Sequence, residues 1–371
     1  MVNLYENRIK KIRKLMDDKS IDIVMITSEP NMLYFSGYSA VSLERLIALL
    51  IDRKDDKVSL IVPRLEEERA EENCRLTDFE LISYSDVENP VNILEKIFHK
   101  SRPTTIGVEE AIPFKYVYPI ISKYTGIRYS LINDLIYSLR IIKEPEEIEA
   151  LKKAAEINNQ VLLEAIRNIR EGVSERNVMI QVKNYALEAG ADEVSFTLVQ
   201  SGSNSALPHQ EPTDRIIHKG DVVVLDIGIR YRGYYSDLTR TVVCGLPSTK
   251  QIEIFNVVLN AQQNALETIR EDVKAEDVDF AARKTIESYG YGEYFIHRTG
   301  HGIGLEVHEP PFIKTGNTDL LKNGMVFTVE PGIYLSGQFG VRLEDNVVVS
   351  REGYINLTSL PKSLYIKDYE I

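Results

Sequence analysis

The chain has 371 residues, 43% hydrophobic and 27% charged, with a formal net charge of −12. That length accommodates two domains, and the acidic balance argues against a nucleic-acid binder, which carries a basic patch. No apolar run approaches the roughly 18–20 residues of a membrane span, the opening stretch has no signal-peptide apolar core, and two cysteines, Cys74 and Cys244, leave no disulfide framework or thiolate zinc site, which fits a reducing cytoplasm.

Ile9, Ile12 and Leu15 recur at helical spacing and predict a helix over 4–18. The β-branched run at 21–27 predicts a strand, followed by a short helix in PNMLYFSG. Strands follow at 46–51 and around 59–62, split by the charged turn DRKDDK at 52–57. A charged helix in PRLEEERAEENC comes next, then a strand at 79–84, a helix at 91–100, a strand at 105–110 and a helix at 114–124. This alternation describes an α/β domain ending near residue 138. Its single histidine, His99, sits at a helix end and reads as an exposed terminal residue, not a ligand.

Glu144-Pro145-Glu146-Glu147 is a helix start, with proline in the first turn and acids near the positive end of the dipole. The helix runs to about Ile169. A second helix ends at a glycine in SERNVMIQVKNYALEAG, a strand follows in EVSFTLVQSG, and a hairpin covers 220–243. Helices at 249–270 and 276–289 then lead to a second hairpin at 324–350. The order helix pair, hairpin, helix pair, hairpin predicts an internal pseudo-repeat of an α+β unit, with both hairpins in one antiparallel sheet.

The chemistry lies in those hairpins. Asp226 ends an apolar run and Asp237 returns eleven residues later, beyond an Arg-Gly turn; Glu330 ends a similar run and Glu344 returns fourteen residues later. The stretches align at a constant offset: Gly220 with Gly324, Asp226 with Glu330, Gly228 with Gly332, Ile229 with Ile333. A lone aspartate at a strand end is ordinarily a surface salt-bridge partner. Four acids on matched repeats, each beside an apolar run, are different: gathered without a cation they repel, and some take up protons. Two divalent ions balance four carboxylates.

Of six histidines, His209, His297, His301 and His308 fall in this region. His297 and His301 are four apart, but not in the helical HExxH arrangement. His301, inside GHGIG, reads as a metal ligand, and His209, His297 and His308 as groups that either support the ligands or face substrate. Oxygen ligands with one imidazole suit Mn, Co, Fe or Zn. Two such ions about 3.5–4 Å apart hold a bridging hydroxide as nucleophile and polarise a carbonyl. Amide hydrolysis is favoured over phosphate chemistry, since no glycine-rich phosphate loop or Arg/Lys cluster accompanies the acids.

The motifs SALPHQEPTDR, LDIGIRYRGYYSDLTRT, HRTGHGIGLEVHE, VEPGIY and GVRLEDNV resemble the pita-bread metallopeptidases, the family that includes methionine aminopeptidase, aminopeptidase P and prolidase. The resemblance spans the chain: RIKKIRKLMDDKSIDIVMITSEPNMLYFSGY is similar to the creatinase/prolidase-type N-terminal domain. It implies an α+β protein, with such an α/β domain over 1–138 and a pita-bread catalytic domain with a pseudo-two-fold repeat over 139–371. It implies two divalent ions per subunit (Mn, Co or Zn). Asp226 would bind one, His301 and Glu330 the other, and Asp237 and Glu344 both. Glu330 would also act as general acid/base, and His308 would contact the scissile carbonyl. His209 and His297 would line the proline pocket, Arg342 would contact substrate or ligands, and Thr239 and Thr328 would orient carboxylates. All five ligand positions are present, unlike in the family's non-metal members. The implied activity is hydrolysis of Xaa-Pro bonds in short peptides by a cytoplasmic homodimer, as an Xaa-Pro dipeptidase or alternatively as aminopeptidase P. One departure bears on that choice. Prolidases often carry an arginine for the dipeptide carboxylate shortly after the His308 position; here Phe312 occupies that place and Lys314 is the nearest cation.

Overall fold

The structure is a computed structural model, describing residues 3–54 and 58–364. Residues 55–57 of the predicted charged turn lie outside the described residues. The chain divides into two compact units, Met1–Arg140 and Ile141–Ile371.

The first unit contains α1 (Leu4–Lys19), β1 (Ile23–Ile26), α2 (Glu29–Ser36), β2 (Ala48–Asp52), β3 (Val58–Pro63), α3 (Glu67–Asn73), β4 (Phe79–Tyr84), α4 (Pro90–Ser101), β5 (Thr105–Val108), α5 (Phe114–Lys123), β6 (Arg128–Leu131) and α6 (Asn133–Arg140). Its six-stranded mixed sheet has the order β4-β3-β2-β1-β5-β6. β1 is central and wholly buried, as an apolar run covered on both faces must be. α1 buries Ile9, Ile12 and Met16. Glu109 is buried just after β5, where its carboxylate accepts hydrogen bonds from Thr27 and Ser28 at the start of α2; such an anion suits a helix N-terminus. β6 and α6 have no counterpart in the sequence reading. β6 is a four-residue edge strand with no buried residue, so it carries little apolar alternation.

The second unit contains α7 (Pro145–Arg167), α8 (Glu175–Glu188), β7 (Glu193–Ser201), β8 (Val222–Tyr231), β9 (Tyr234–Val243), α9 (Thr249–Thr268), α10 (Ala275–Ser288), β10 (Gly300–Gly302), β11 (Glu309–Ile313), β12 (Val326–Val329), β13 (Gly332–Leu335), β14 (Phe339–Arg342), β15 (Asp345–Val349) and β16 (Tyr354–Asn356). α7 opens with Pro145 in its first turn and a reciprocal capping box between Glu144 and Glu147. The pseudo-repeat is visible in the isolated bridges Ser174–Ile216 and Lys274–Leu320, which sit at matching points before the second helix of each pair. Each helix pair packs on its own half. Val161, Leu162, Val178 and Val182 meet Val223, Leu225, Ile227 and Ile229 of β8 in one core. Val258, Ala261, Val278 and Ala282 meet Phe327, Val329 and Val347 in the other.

The strands do not form the expected single sheet of two hairpins. β7-β8-β9 is one sheet, β11-β10-β12-β15-β16 a second, and β13-β14 a separate two-stranded ribbon. Pro331 is the local reason. It has no N–H to donate, so the ladder is interrupted after Glu330. β12 pairs directly with β15, and the ribbon leaves between them. Glu330 and Glu344 therefore sit at strand breaks, not on strands. Their N–H groups bond outside the ladder, Glu330 to the Thr299 carbonyl at 2.7 Å and Glu344 to the Thr239 carbonyl at 3.1 Å.

Candidate metal centre

The β8–β9 turn is closed by Arg232 and Gly233, both with positive φ, 48° and 85°. Two consecutive left-handed residues match the twist of a two-residue hairpin. The resulting register sets Asp226 opposite Thr239 and Gly228 opposite Asp237. Side chains alternate faces along a strand. With the odd-numbered apolar residues of β8 turned into the core, Asp226, Asp237 and Thr239 share the other face.

His301 lies in β10 between β11 and β12. A Cβ on Gly300 would stand 1.8 Å from the Thr328 carbonyl oxygen, and one on Gly302 2.2 Å from the Pro310 oxygen; only glycine fits on either side of the histidine. The ring Nδ1 donates to the Gly302 carbonyl at 3.1 Å. That fixes the tautomer and leaves Nε2 as the open lone pair. Nε2 stands 3.3 Å from Glu330 Oε1 and 3.8 Å from Asp237 Oδ2. Burial, with the neighbouring His308, pushes the ring pKa down to about 3.

Donor atoms of Asp237, His301 and Glu344 all lie within 4.8 Å of one another. Thr239 Oγ1 donates to Glu344 Oε2 at 2.7 Å, Thr328 Oγ1 to Glu330 Oε1 at 3.3 Å, and Arg342 Nη2 to Asp226 Oδ2 at 2.5 Å. Asn346 clamps the backbone of Asp237, accepting from its N–H at 3.1 Å and donating to its carbonyl at 2.6 Å. Yet Asp226 Oδ1, Asp237 Oδ1 and Glu344 Oε1 are buried without a hydrogen-bond partner. Burial, then the charges of Glu344 and Asp226, pushes the Asp237 carboxyl well up; burial and Glu330 do the same to Glu344. Burial raises Glu330 to about 7. Buried carboxylate oxygens without donors, beside a neutral imidazole, fit hard or borderline divalent ions.

Asp226, Asp237, Glu330, Glu344, Arg342 and the four histidines line one cavity of about 610 Å3, the size of a small-ligand site; Thr239 and Thr328 stand behind the carboxylates and are not part of its lining. His308 reaches into it and meets the His301 ring edge-on, centroids 4.2 Å apart. Burial and the nearby Arg298 hold the His308 pKa below its usual value. His209 is exposed within the cavity wall. His297 has both ring nitrogens engaged, Nδ1 with the Arg298 carbonyl at 2.7 Å and Nε2 with the Tyr334 hydroxyl at 2.8 Å. Tyr334 in turn accepts from Arg342 Nη1 at 2.9 Å. Burial pushes His297 down to about 4. The neutral ring thus donates from Nδ1 and accepts the tyrosine proton at Nε2.

Tyr334, Asn346 and Arg298 are absent from the sequence reading, although all three lie inside its motifs. Tyr334 and Asn346 act through hydrogen bonds across 37 and 109 residues, which spacing does not reveal. Arg298 had one signal, a cation between two histidines of the site. Lys314 is exposed, and the cavity's lining does not include it. The Phe312 ring lies under the Arg298 guanidinium, 4.7 Å from ring centroid to Cζ.

Residues 149–351 match metallopeptidase family M24, and residues 8–142 match the creatinase/prolidase N-terminal domain. The chain is 39% identical to the Xaa-Pro dipeptidase of Pyrococcus furiosus, over 97% of this chain and 99% of that protein. Among solved structures, it is similar to the recombinant prolidase from Thermococcus sibiricus, with TM-score 0.92 and 40% identity over 97% of this chain and 98% of that one. It is also similar to the X-Pro aminopeptidase from Thermotoga maritima, with TM-score 0.87 and 34% identity over 96% and 99%. The match covers both units, and the chain belongs to metallopeptidase family M24, in the form that carries a creatinase/prolidase N-terminal domain.

Proposed function

We propose that the protein is an Xaa-Pro dipeptidase that uses two divalent ions, Mn, Co or Zn. The observation that carries the reading is the trio of buried, unpartnered carboxylate oxygens on Asp226, Asp237 and Glu344 beside the open Nε2 of His301. The dipeptidase relatives supply the substrate class. Asp226 would hold one ion, His301 and Glu330 the other, and Asp237 and Glu344 would serve both. Ions held there lower the pKa of water and polarise a carbonyl.

The remaining steps belong to the side chains. Glu330 takes the proton from the attacking water and passes it to the departing prolyl nitrogen. That nitrogen has no hydrogen of its own in the peptide, because the Xaa-Pro bond is a tertiary amide. His308, neutral and open to the cavity, donates its N–H to the carbonyl oxygen as negative charge develops there. His209 and His297 face the proline ring. Arg342 steadies Asp226, while Thr239 and Thr328 hold the ligand carboxylates in place.

Glu330→Ala or Asp237→Ala should abolish metal-stimulated release of proline from Ala-Pro, and unchanged turnover in either variant sinks these roles. Faster cleavage of Gly-Pro-Pro than of Ala-Pro would favour an aminopeptidase instead. We assign catalysis to residues 139–371. We further propose a cytoplasmic homodimer, consistent with two buried free cysteines and with the assembly habit of the family it resembles. Light scattering on the full chain tests the dimer. No described helix is long and apolar enough to cross a membrane.

A further inference from the structure

Two arginines line the catalytic cavity, and they are in opposite situations. Arg342 is 3% exposed, and its guanidinium is committed to Asp226 at 2.5 Å, Tyr334 at 2.9 Å and Thr239 at 3.3 Å. Arg298 is half-buried, and among the described residues its side chain makes no hydrogen bond or ion pair. Its five N–H donors remain available for a partner in the cavity that it lines. Burial pushes the Arg298 pKa down, and the nearby Glu330 charge only partly offsets it.

The position of Arg298 is nevertheless fixed. The carbonyl of Arg298 accepts from His297 Nδ1 at 2.7 Å. Arg283 donates to the carbonyls of Phe295 and His297 just before it. Thr299, just after it, is held by Asp279 through both its N–H and its hydroxyl. The guanidinium then rests on the Phe312 ring at 4.7 Å, a stacking contact that orients its plane. An arginine with an anchored backbone, a stacked head and free donors is prepared for a planar anion.

The substrate supplies one. In an Xaa-Pro dipeptide the free carboxylate is two bonds from the scissile nitrogen, about 2.5 Å away. It must bind beside the reacting centre, next to a wall rich in carboxylates. Arg298 is in that neighbourhood, since it lines the same cavity as Glu330, His301 and His308. We infer that Arg298, stacked on Phe312, binds the C-terminal carboxylate of the substrate and so restricts the enzyme to dipeptides. This rests on the dipeptidase reading above.

The test is steady-state kinetics of the full-length, metal-loaded protein on Ala-Pro and on Ala-Pro-amide, which lacks the carboxylate. Wild type should favour Ala-Pro by roughly 10–100-fold in kcat/KM, the worth of hydrogen bonds to a charged group. Arg298→Gln should raise KM for Ala-Pro by the same roughly 10–100-fold, leave its kcat largely intact and leave the amide unaffected. Arg298→Lys should recover part of the loss, because lysine keeps the charge without the planar fork. Equal losses on acid and amide in Arg298→Gln would mean a structural role and overturn the inference, as would a wild type indifferent to amidation. A wild type that cleaves neither compound overturns the dipeptidase reading, and this inference with it.

Discussion

Tyr334 shows how much of this site depends on single hydroxyls. Its oxygen accepts from Arg342 and donates to His297, so one phenol ties the guanidinium that steadies Asp226 to the ring that anchors the backbone at Arg298. Tyr334→Phe leaves a buried guanidinium N–H and an imidazole nitrogen unpaired, at about 1–3 kcal/mol. The expected outcome is a melting temperature lower by several degrees. Loss of a group that supports the proposed metal ligands should also lower kcat/KM for Ala-Pro by roughly 10–100-fold, checked by calorimetry and kinetics on one preparation. At this scale the sequence pointed to the acids and histidines that gather in the cavity and not to the side chains that support them. Asp226, Asp237, Glu330 and Glu344 announced themselves because four acids next to apolar runs have no ordinary explanation. Tyr334 and Asn346 are common residues in apolar strands, and their meaning lies in partners far along the chain.

Among the elements, β10 is closely confined on both sides. It is three residues long, and Gly300 and Gly302 flank the histidine because backbone from β12 and β11 occupies the space a Cβ would need. Gly300→Ala places a methyl carbon 1.8 Å from the Thr328 oxygen. The strand must shift and His301 with it. The variant should be destabilised by several kcal/mol, within the range of severe overpacking or strain, and should bind metal poorly even where it folds. Thermal melting and metal titration by calorimetry check both halves of that statement; a well-folded variant with normal metal affinity would contradict it. Long elements were legible: helical spacing and β-branched runs placed α1, α7, α9, β8 and β9 close to their observed limits. β10 and β11 were not, for a physical reason. Glycine dominates one and consecutive prolines the other, so neither carries the alternation by which strands are recognised. The break at Pro331 was legible in principle, since a proline inside a strand demotes it, yet the constant offset between the first arms, from Gly220/Gly324 to Ile229/Ile333, suggested an unbroken hairpin.

Over the whole molecule, the buried acids make stability depend on metal and on pH together. In the metal-free protein Glu330 is raised from 4.5 to about 7, and Asp237 and Glu344 are raised as well. Between the unfolded and folded values the folded chain holds protons that the unfolded chain has released, so stability falls as pH rises. The metal-free protein should therefore melt at progressively lower temperature as pH is taken from about 4.5 to about 7. Metal at 100 times its dissociation constant should restore about 2.7 kcal/mol, a rise of roughly 5–10 °C for a unit of this size, and flatten the pH profile. A metal-free protein equally stable across that window would show that the acids are not gathered as described. The repeat order was legible in the sequence because the same acid-bearing pattern occurs twice, while the division into three sheets was not, because hydrogen-bond partnership across sheets leaves no periodic trace. The duplicated halves of the second unit have a consequence beyond catalysis. Each supplies two of the four carboxylates, so a bound ion would act as a rivet between acids of the two half-domains that otherwise repel one another. Metal supply then governs how long a molecule survives as well as how fast it works. In a cell starved of the ion, proteolysis of the opened form should shrink the pool of this protein and not merely leave it idle.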